Sequence, residues 1–153
     1  MQTASVALAD LDRVLKPFAG RTTLIHHFAT WCDPCVEEMP ELARILQSLS
    51  PREFHAIAIS WELFMSQDEP AVAERVCADF LEAMNAPFDA LFVYTGDPND
   101  LFRAMRVSTG TVPFTEVRDE RGIRIAEFPR PIVEPIDQER LSAALRARHR
   151  EPR

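Results

Sequence analysis

The stretch Thr30-Trp31-Cys32-Asp33-Pro34-Cys35 lies between an apolar run, Thr22 to Ala29, and a helical pattern, Pro34 to Leu49. The run predicts a strand buried on both faces and interrupted only by His26 and His27. The pattern behind it puts Cys35, Met39, Leu42, Ile45 or Leu46, and Leu49 on one helical stripe, with Pro40 expected to kink it. Two cysteines spaced C-x-x-C at a strand-to-helix junction read first as a redox pair. The helix start gives the physical reason. Its free backbone N–H groups and its dipole favour a negative sulfur, and the thiolate is the nucleophilic form. Pro34 suits the first turn, because its φ is already helical and it has no N–H to leave unpaired.

Phe54 to Trp61 predicts a second strand, so the cysteine helix bridges a βαβ unit. Glu62 to Glu69 reads as a polar loop. Pro70 opens a helix to about Asn85 whose apolar face is Ala73, Val76, Cys77, Phe80, Leu81 and Met84. Ala90 to Thr95 predicts a third strand, and Asp97-Pro98 a short helix burying Leu101, Phe102 and Met105. A loop, Ser108 to Thr111, ends at Val112-Pro113. Phe114 to Arg118 and Ile123 to Phe128 predict a hairpin with Gly122 in its turn. Pro129, Pro131 and Pro135 mark an extended connector, and Asp137 is the expected cap of a last helix carrying Leu141, Ala144 and Leu145. Upstream, Leu8, Leu11, Val14 or Leu15, and Phe18 predict a helix from Ser5 to Phe18, closed by Gly20, with no strand before Thr22. The fold class is α/β: a central mixed β-sheet flanked by helices, a βαβ unit, then a C-terminal β-hairpin and helix. One domain is expected over residues 1–153, with a helical segment at 1–20 and a basic tail at 146–153.

The net charge of −7 argues against a nucleic-acid partner, since phosphate contacts need clustered Lys and Arg. Arg146, Arg148 and Arg150 fit a solvated helix end favoured by its dipole. No apolar run approaches a membrane span, and Met1 to Asp10 lacks the pattern of an export signal. The expectation is a cytoplasmic protein as written, or a periplasmic or otherwise extracytoplasmic one if a leader has been removed. Three cysteines cannot build a structural disulfide framework. Zinc, the rival reading of Cys32 and Cys35, needs four ligands in a structural site, and no second C-x-x-C is present. Soft thiolates would also suit Cu(I). Cys77, on an apolar helical face, reads as a buried core residue.

Two stretches resemble the thioredoxin superfamily, and within it the bacterial TlpA/ResA-type thiol–disulfide oxidoreductases. Phe28-Ala29-Thr30-Trp31-Cys32-Asp33-Pro34-Cys35, followed by Glu37-Glu38-Met39-Pro40-Glu41-Leu42, is similar to their redox motif and the helix behind it. Thr111-Val112-Pro113-Phe114-Thr115 is similar to their loop ending in a cis-proline. The resemblance implies a thioredoxin-like fold and no cofactor beyond the Cys32–Cys35 disulfide. It makes Cys32 the attacking and Cys35 the resolving cysteine. Val112 and Pro113 would receive an extended substrate, Trp31 would wall the site, and Glu38 would be an acid beside the dithiol. The implied partners are a protein or small-molecule disulfide substrate and a dithiol electron donor.

Departures from that pattern define further expectations. Phe28 stands where a tryptophan is common, and Glu116 where an apolar side chain is usual. His26 occupies the position at which thioredoxin has a buried acid, and an imidazole could relay the Cys35 proton near neutral pH. The plainer reading makes His26 and His27 hydrogen-bonded core residues. One of the two is expected to pair with Glu116 on the neighbouring strand, because neither group is buried cheaply alone. Glu38 also has a plainer reading, as a solvated residue well placed for the helix dipole. Asp33 sets a negative charge beside the attacking sulfur, which disfavours the thiolate and biases the pair toward reduction; Glu38 would push the same way. A dithiol that holds a metal or a partner without turnover is the alternative.

Overall fold

The computed structural model describes residues 1–49 and 53–147. Its six-stranded sheet has the order β1-β4-β3-β2-β5-β6. The strands are β1 (Gln2–Val6), β2 (Thr22–Phe28), β3 (Phe54–Ser60), β4 (Ala90–Tyr94), β5 (Phe114–Arg118) and β6 (Arg124–Phe128). The first four pair in parallel, whereas β5 runs antiparallel to β2 and β6 antiparallel to β5. The sheet is therefore mixed. The helices are α1 (Leu11–Leu15), α2 (Asp33–Ser48), α3 (Pro70–Ala83), α4 (Pro98–Ala104) and α5 (Pro135–Arg146).

The expected N-terminal helix is shorter than its sequence pattern. Gln2–Val6 forms the strand β1, paired with Ala90–Tyr94, and only Leu11–Leu15 is α-helical, flanked by short 3-10 turns at Leu8–Asp10 and Lys16–Phe18. Pairing with β4 overrides a periodicity that belongs to Leu8 onward, since strand preference is set largely by tertiary context. Asp137 does not cap α5 either. The helix begins at Pro135 after Glu134, and Asp137 lies buried in its first turn, accepting hydrogen bonds from Arg130 at 2.9 Å and Arg140 at 3.3 Å. Val76 faces outward, whereas Ala73, Cys77 and Leu81 are buried. The expected helix stop at Ser50-Pro51, and Arg148 and Arg150 of the basic tail, lie outside the described residues.

Strand β2 is central, and its alternation divides the site. His26 and Phe28 point to the face covered by α2 and α3, where Phe28 stacks on Phe80 with ring centroids 6.0 Å apart. His27 points to the other face, edge-on to Trp61, which packs on Phe102 of α4. Two consecutive crossovers in the same direction, β2-α2-β3 and β3-α3-β4, put α2 and α3 on one face by the right-handed rule. The whole of β2 is buried, as its apolar run predicts.

Candidate active site

Cys32 is the N-cap of α2. Its backbone is extended, and its sulfur accepts a hydrogen bond from the Cys35 N–H at 3.3 Å. The unpaired donors of the helix start are thus turned on the sulfur, the arrangement that stabilises a thiolate. Cys32 and Cys35 are disulfide-bonded, with Cα atoms 5.2 Å apart. Cys35 is fully buried, and Cys32 lies at the edge of the buried region. Asp33 and Pro34, between them, are exposed.

The second half of the site comes from the loop before β5. The Val112–Pro113 peptide is cis, and the Val112 carbonyl oxygen lies 3.6 Å from Cys32 Sγ. Trp31 closes one side. It is 41% exposed, and its indole N–H donates to the Glu62 carbonyl at 3.1 Å.

Beneath the dithiol lies a buried polar chain. Glu38 sits three residues after Cys35, on the same face of α2. It is fully buried, not solvated. One carboxyl oxygen accepts the Ile132 N–H at 2.6 Å; the other lies 3.3 Å from His26 Nε2, without hydrogen-bond alignment. His26 Nδ1 is 2.7 Å from the Thr115 hydroxyl. Burial pushes Glu38 up to about 8, against a smaller downward pull from the Ile132 N–H. Burial pushes His26 down to about 3, helped by His27. Near neutral pH the pair is therefore a protonated acid beside a neutral imidazole, not an ion pair. The Thr115 hydroxyl can donate or accept, so either imidazole tautomer is served at Nδ1. After a small reorientation Nε2 would accept from protonated Glu38 or donate to ionised Glu38.

The expected histidine–Glu116 pair does not form. Glu116 bonds Arg118 at 2.5 Å and Arg124 at 2.7 Å, and Arg124 comes from β6, across the hairpin. His27 instead accepts the Trp61 indole N–H at 3.0 Å, and burial, with Arg118 and Arg124 nearby, pushes it down to about 3. It is a neutral core histidine. Cys77 is buried too, and burial pushes its thiol up to about 12.

One residue escaped the sequence reading. Glu62, read as part of a polar loop, is 6% exposed. Its carboxylate accepts both the N–H of Thr30 at 2.8 Å and the Thr30 hydroxyl at 2.5 Å. Its own N–H donates to Ser60 Oγ at 3.0 Å, and the Cys77 thiol donates to it at 3.6 Å. Glu62 thus fixes both residues that precede Cys32. The available signal was its neighbourhood: a lone acid among Trp61, Leu63 and Phe64, directly after a buried strand.

Among the described residues, no group of three or more His, Cys, Asp or Glu could hold a metal ion, and no helix is long and apolar enough to cross a membrane. No protein-family model matches the chain. Over 100 residues, 65% of this chain and 44% of the relative, it is 24% identical to the thiol–disulfide oxidoreductase ResA of Oceanobacillus iheyensis. The chain thus spans less than half the length of that relative. The crystal structure of StoA from Bacillus subtilis matches with a TM-score of 0.60 at 19% identity, covering 84% of this chain and 85% of that one. A thioredoxin-related protein from Neisseria meningitidis serogroup B matches with a TM-score of 0.60 at 20% identity, covering 86% and 87%. With its sheet order, its cysteine pair at the start of α2 and these matches, the chain has a thioredoxin-like fold and is similar in sequence to a ResA thiol–disulfide oxidoreductase.

Proposed function

We propose that the chain is a thiol–disulfide oxidoreductase working as a disulfide reductase. The observation that carries the reading is the Cys32–Cys35 pair at the start of α2, with the Val112 carbonyl 3.6 Å from the Cys32 sulfur. The name of its sequence relative supports the same chemistry. In the reduced protein, Cys32 thiolate attacks one sulfur of a substrate disulfide and expels the other as thiolate, leaving a mixed disulfide. Cys35 then loses its proton and attacks Cys32 Sγ. The second substrate thiol leaves, and the Cys32–Cys35 disulfide forms. A dithiol donor returns two electrons and two protons, and no further cofactor takes part. Trp31, Val112 and Pro113 line the substrate side, and the Val112 backbone beside Cys32 suits an extended segment docking as an added strand.

Glu38 is the proposed base for Cys35. Its ionised form, reached near pH 8, takes the thiol proton, and His26 follows by changing tautomer. A carboxyl whose pKa lies near the working pH is well matched to that task. Because protein disulfides persist where the environment is oxidising, this activity fits an extracytoplasmic site better than a cytoplasmic one.

Insulin tests the reading. With a small dithiol as donor, the protein should accelerate reduction of insulin disulfides, and Trp31 fluorescence should titrate reversibly with dithiothreitol. Stoichiometric retention of Cu(I) or zinc without turnover would overturn it. The direction follows from Asp33, which lies exposed at the first position of α2. Replacing it with His removes a like charge beside the attacking sulfur, so the D33H potential should rise in a glutathione redox titration. A wild-type potential above about −180 mV, the region of disulfide isomerase, would contradict a reductase.

A further inference from the structure

Strand β5 buries an acid, Glu116, and the β5–β6 register sets a second acid, Glu127, directly opposite. Two acids facing across a ladder repel. Arg124 stands between them, bonding Glu116 at 2.7 Å and Glu127 at 2.9 Å. Neutralising that pair would need only a charge, yet Arg124 does more. It also donates to the Met105 carbonyl at 2.7 Å and to the Arg106 carbonyl at 3.0 Å. These carbonyls stand at the end of α4, where a helix leaves acceptors unpaired and its dipole is negative. Here the chain turns sharply, with Arg106 at φ 51°, a left-handed conformation uncommon outside glycine. The guanidinium lies 5.3 Å from the ring centroid of Phe114, the residue after Pro113. One side chain therefore grips both ends of the loop that delivers Val112 and Pro113 to Cys32.

We propose that Arg124 is a positioning residue for the Val112–Pro113 edge and thereby sets affinity for extended disulfide substrates, an inference that rests on the oxidoreductase reading above. Four oxygens around one side chain call for the planar fork of an arginine; a lysine supplies the charge but three donors on a single nitrogen. A small dithiol needs only the Cys32–Cys35 sulfurs, whereas an extended peptide needs the edge as well. The two substrates separate positioning from general damage.

The test compares wild type, R124M and R124K with dithiothreitol and with an extended peptide carrying a disulfide. For R124M, the rate with dithiothreitol should stay within about twofold, while KM for the peptide rises by about tenfold with little change in kcat. R124K should keep most of the stability and still show the raised KM. Should R124M fail to fold, R124K carries the comparison. Hydrogen exchange at the Val107 amide, which bonds the Phe102 carbonyl of α4, and at the Gly110 amide, which bonds the Val107 carbonyl, should quicken in both variants. Unchanged peptide KM, or equal losses with both substrates, would overturn the proposal. A wild-type protein inert toward every disulfide would instead sink the oxidoreductase reading, and the amide exchange would then judge the grip on the loop by itself.

Discussion

Glu38→Gln should slow release of substrate from the mixed disulfide by about a hundredfold, the usual range for loss of a positioned acid–base group. It should also abolish the rise of that rate toward pH 8. Gln keeps an oxygen for the Ile132 N–H and offers an amide to His26 Nε2, so the buried chain survives while the titrating group goes. Single-turnover measurements following Trp31 fluorescence from pH 6 to 9 provide the check; a variant profile matching wild type would remove Glu38 from the mechanism. His26→Ala completes the pair. Without the imidazole, ionised Glu38 keeps the Ile132 N–H but loses the polar ring beside its other oxygen, so the rise should move to higher pH and release at neutral pH should slow.

The same substitution has a stability signature. Glu38 is raised from 4.5 to about 8, so between those values the unfolded chain gives up a proton that the folded chain keeps. Glu38→Gln should therefore gain on wild type across that window, and wild-type stability itself should fall from pH 6.5 to about 8, above the range in which buried His26 and His27 pull the other way. Below the window the two states bind the same proton and the difference vanishes. His26 acts at the other end. It is lowered from 6.5 to about 3, so its share of stability is lost as pH falls through that range, in wild type and variant alike. Urea unfolding of the oxidised proteins at a series of pH values separates the two limbs.

Glu62→Ala should destabilise the protein by about 3 kcal/mol, because it strips partners from the N–H and hydroxyl of Thr30 and from the Cys77 thiol. Since Thr30 leads directly into Trp31 and Cys32, peptide-disulfide exchange should fall by at least about tenfold in variants that still fold. Glu62→Gln is the control. Its amide can accept from the Thr30 N–H and donate to the Thr30 oxygen, so most of both properties should return. Urea unfolding and Trp31 fluorescence decide the matter; a loss under about 1 kcal/mol for the alanine variant would mean that the residues before Cys32 hold themselves in place.

The dithiol junction was legible because local rules agree there: an apolar strand, a helix start, a proline in the first turn and the C-x-x-C spacing all name the same place. Strand β1 was not. Thr3, Ala4 and Ser5 carry no strong strand pattern, and only β4 alongside makes them one. Glu116 was correctly singled out as unusual and placed beside the strand of the histidines, but its register partner there is Ile25, and it faces two arginines. Arg124 lies eight residues on, across a bulged hairpin, where spacing in the sequence does not predict which side chains meet. Glu38 shows the reverse. Its spacing from Cys35 already put it on the buried stripe, while its usual surface preference argued for solvent. Glu62 was lost to its surroundings in the chain, since polar residues after a strand ordinarily mean loop.

Cys77 has a bearing on how the dithiol can be trusted to cycle. A thiol held near 12 is ionised to about one part in 10⁵ at pH 7, so it offers almost no nucleophile to a neighbouring disulfide. The chain carries three cysteines, but with Cys77 inert it should act as a closed two-electron couple, in which no wrong pairing competes with Cys32–Cys35. Its redox state should then be described by one equilibrium constant, free of the branching that an accessible third thiol would introduce.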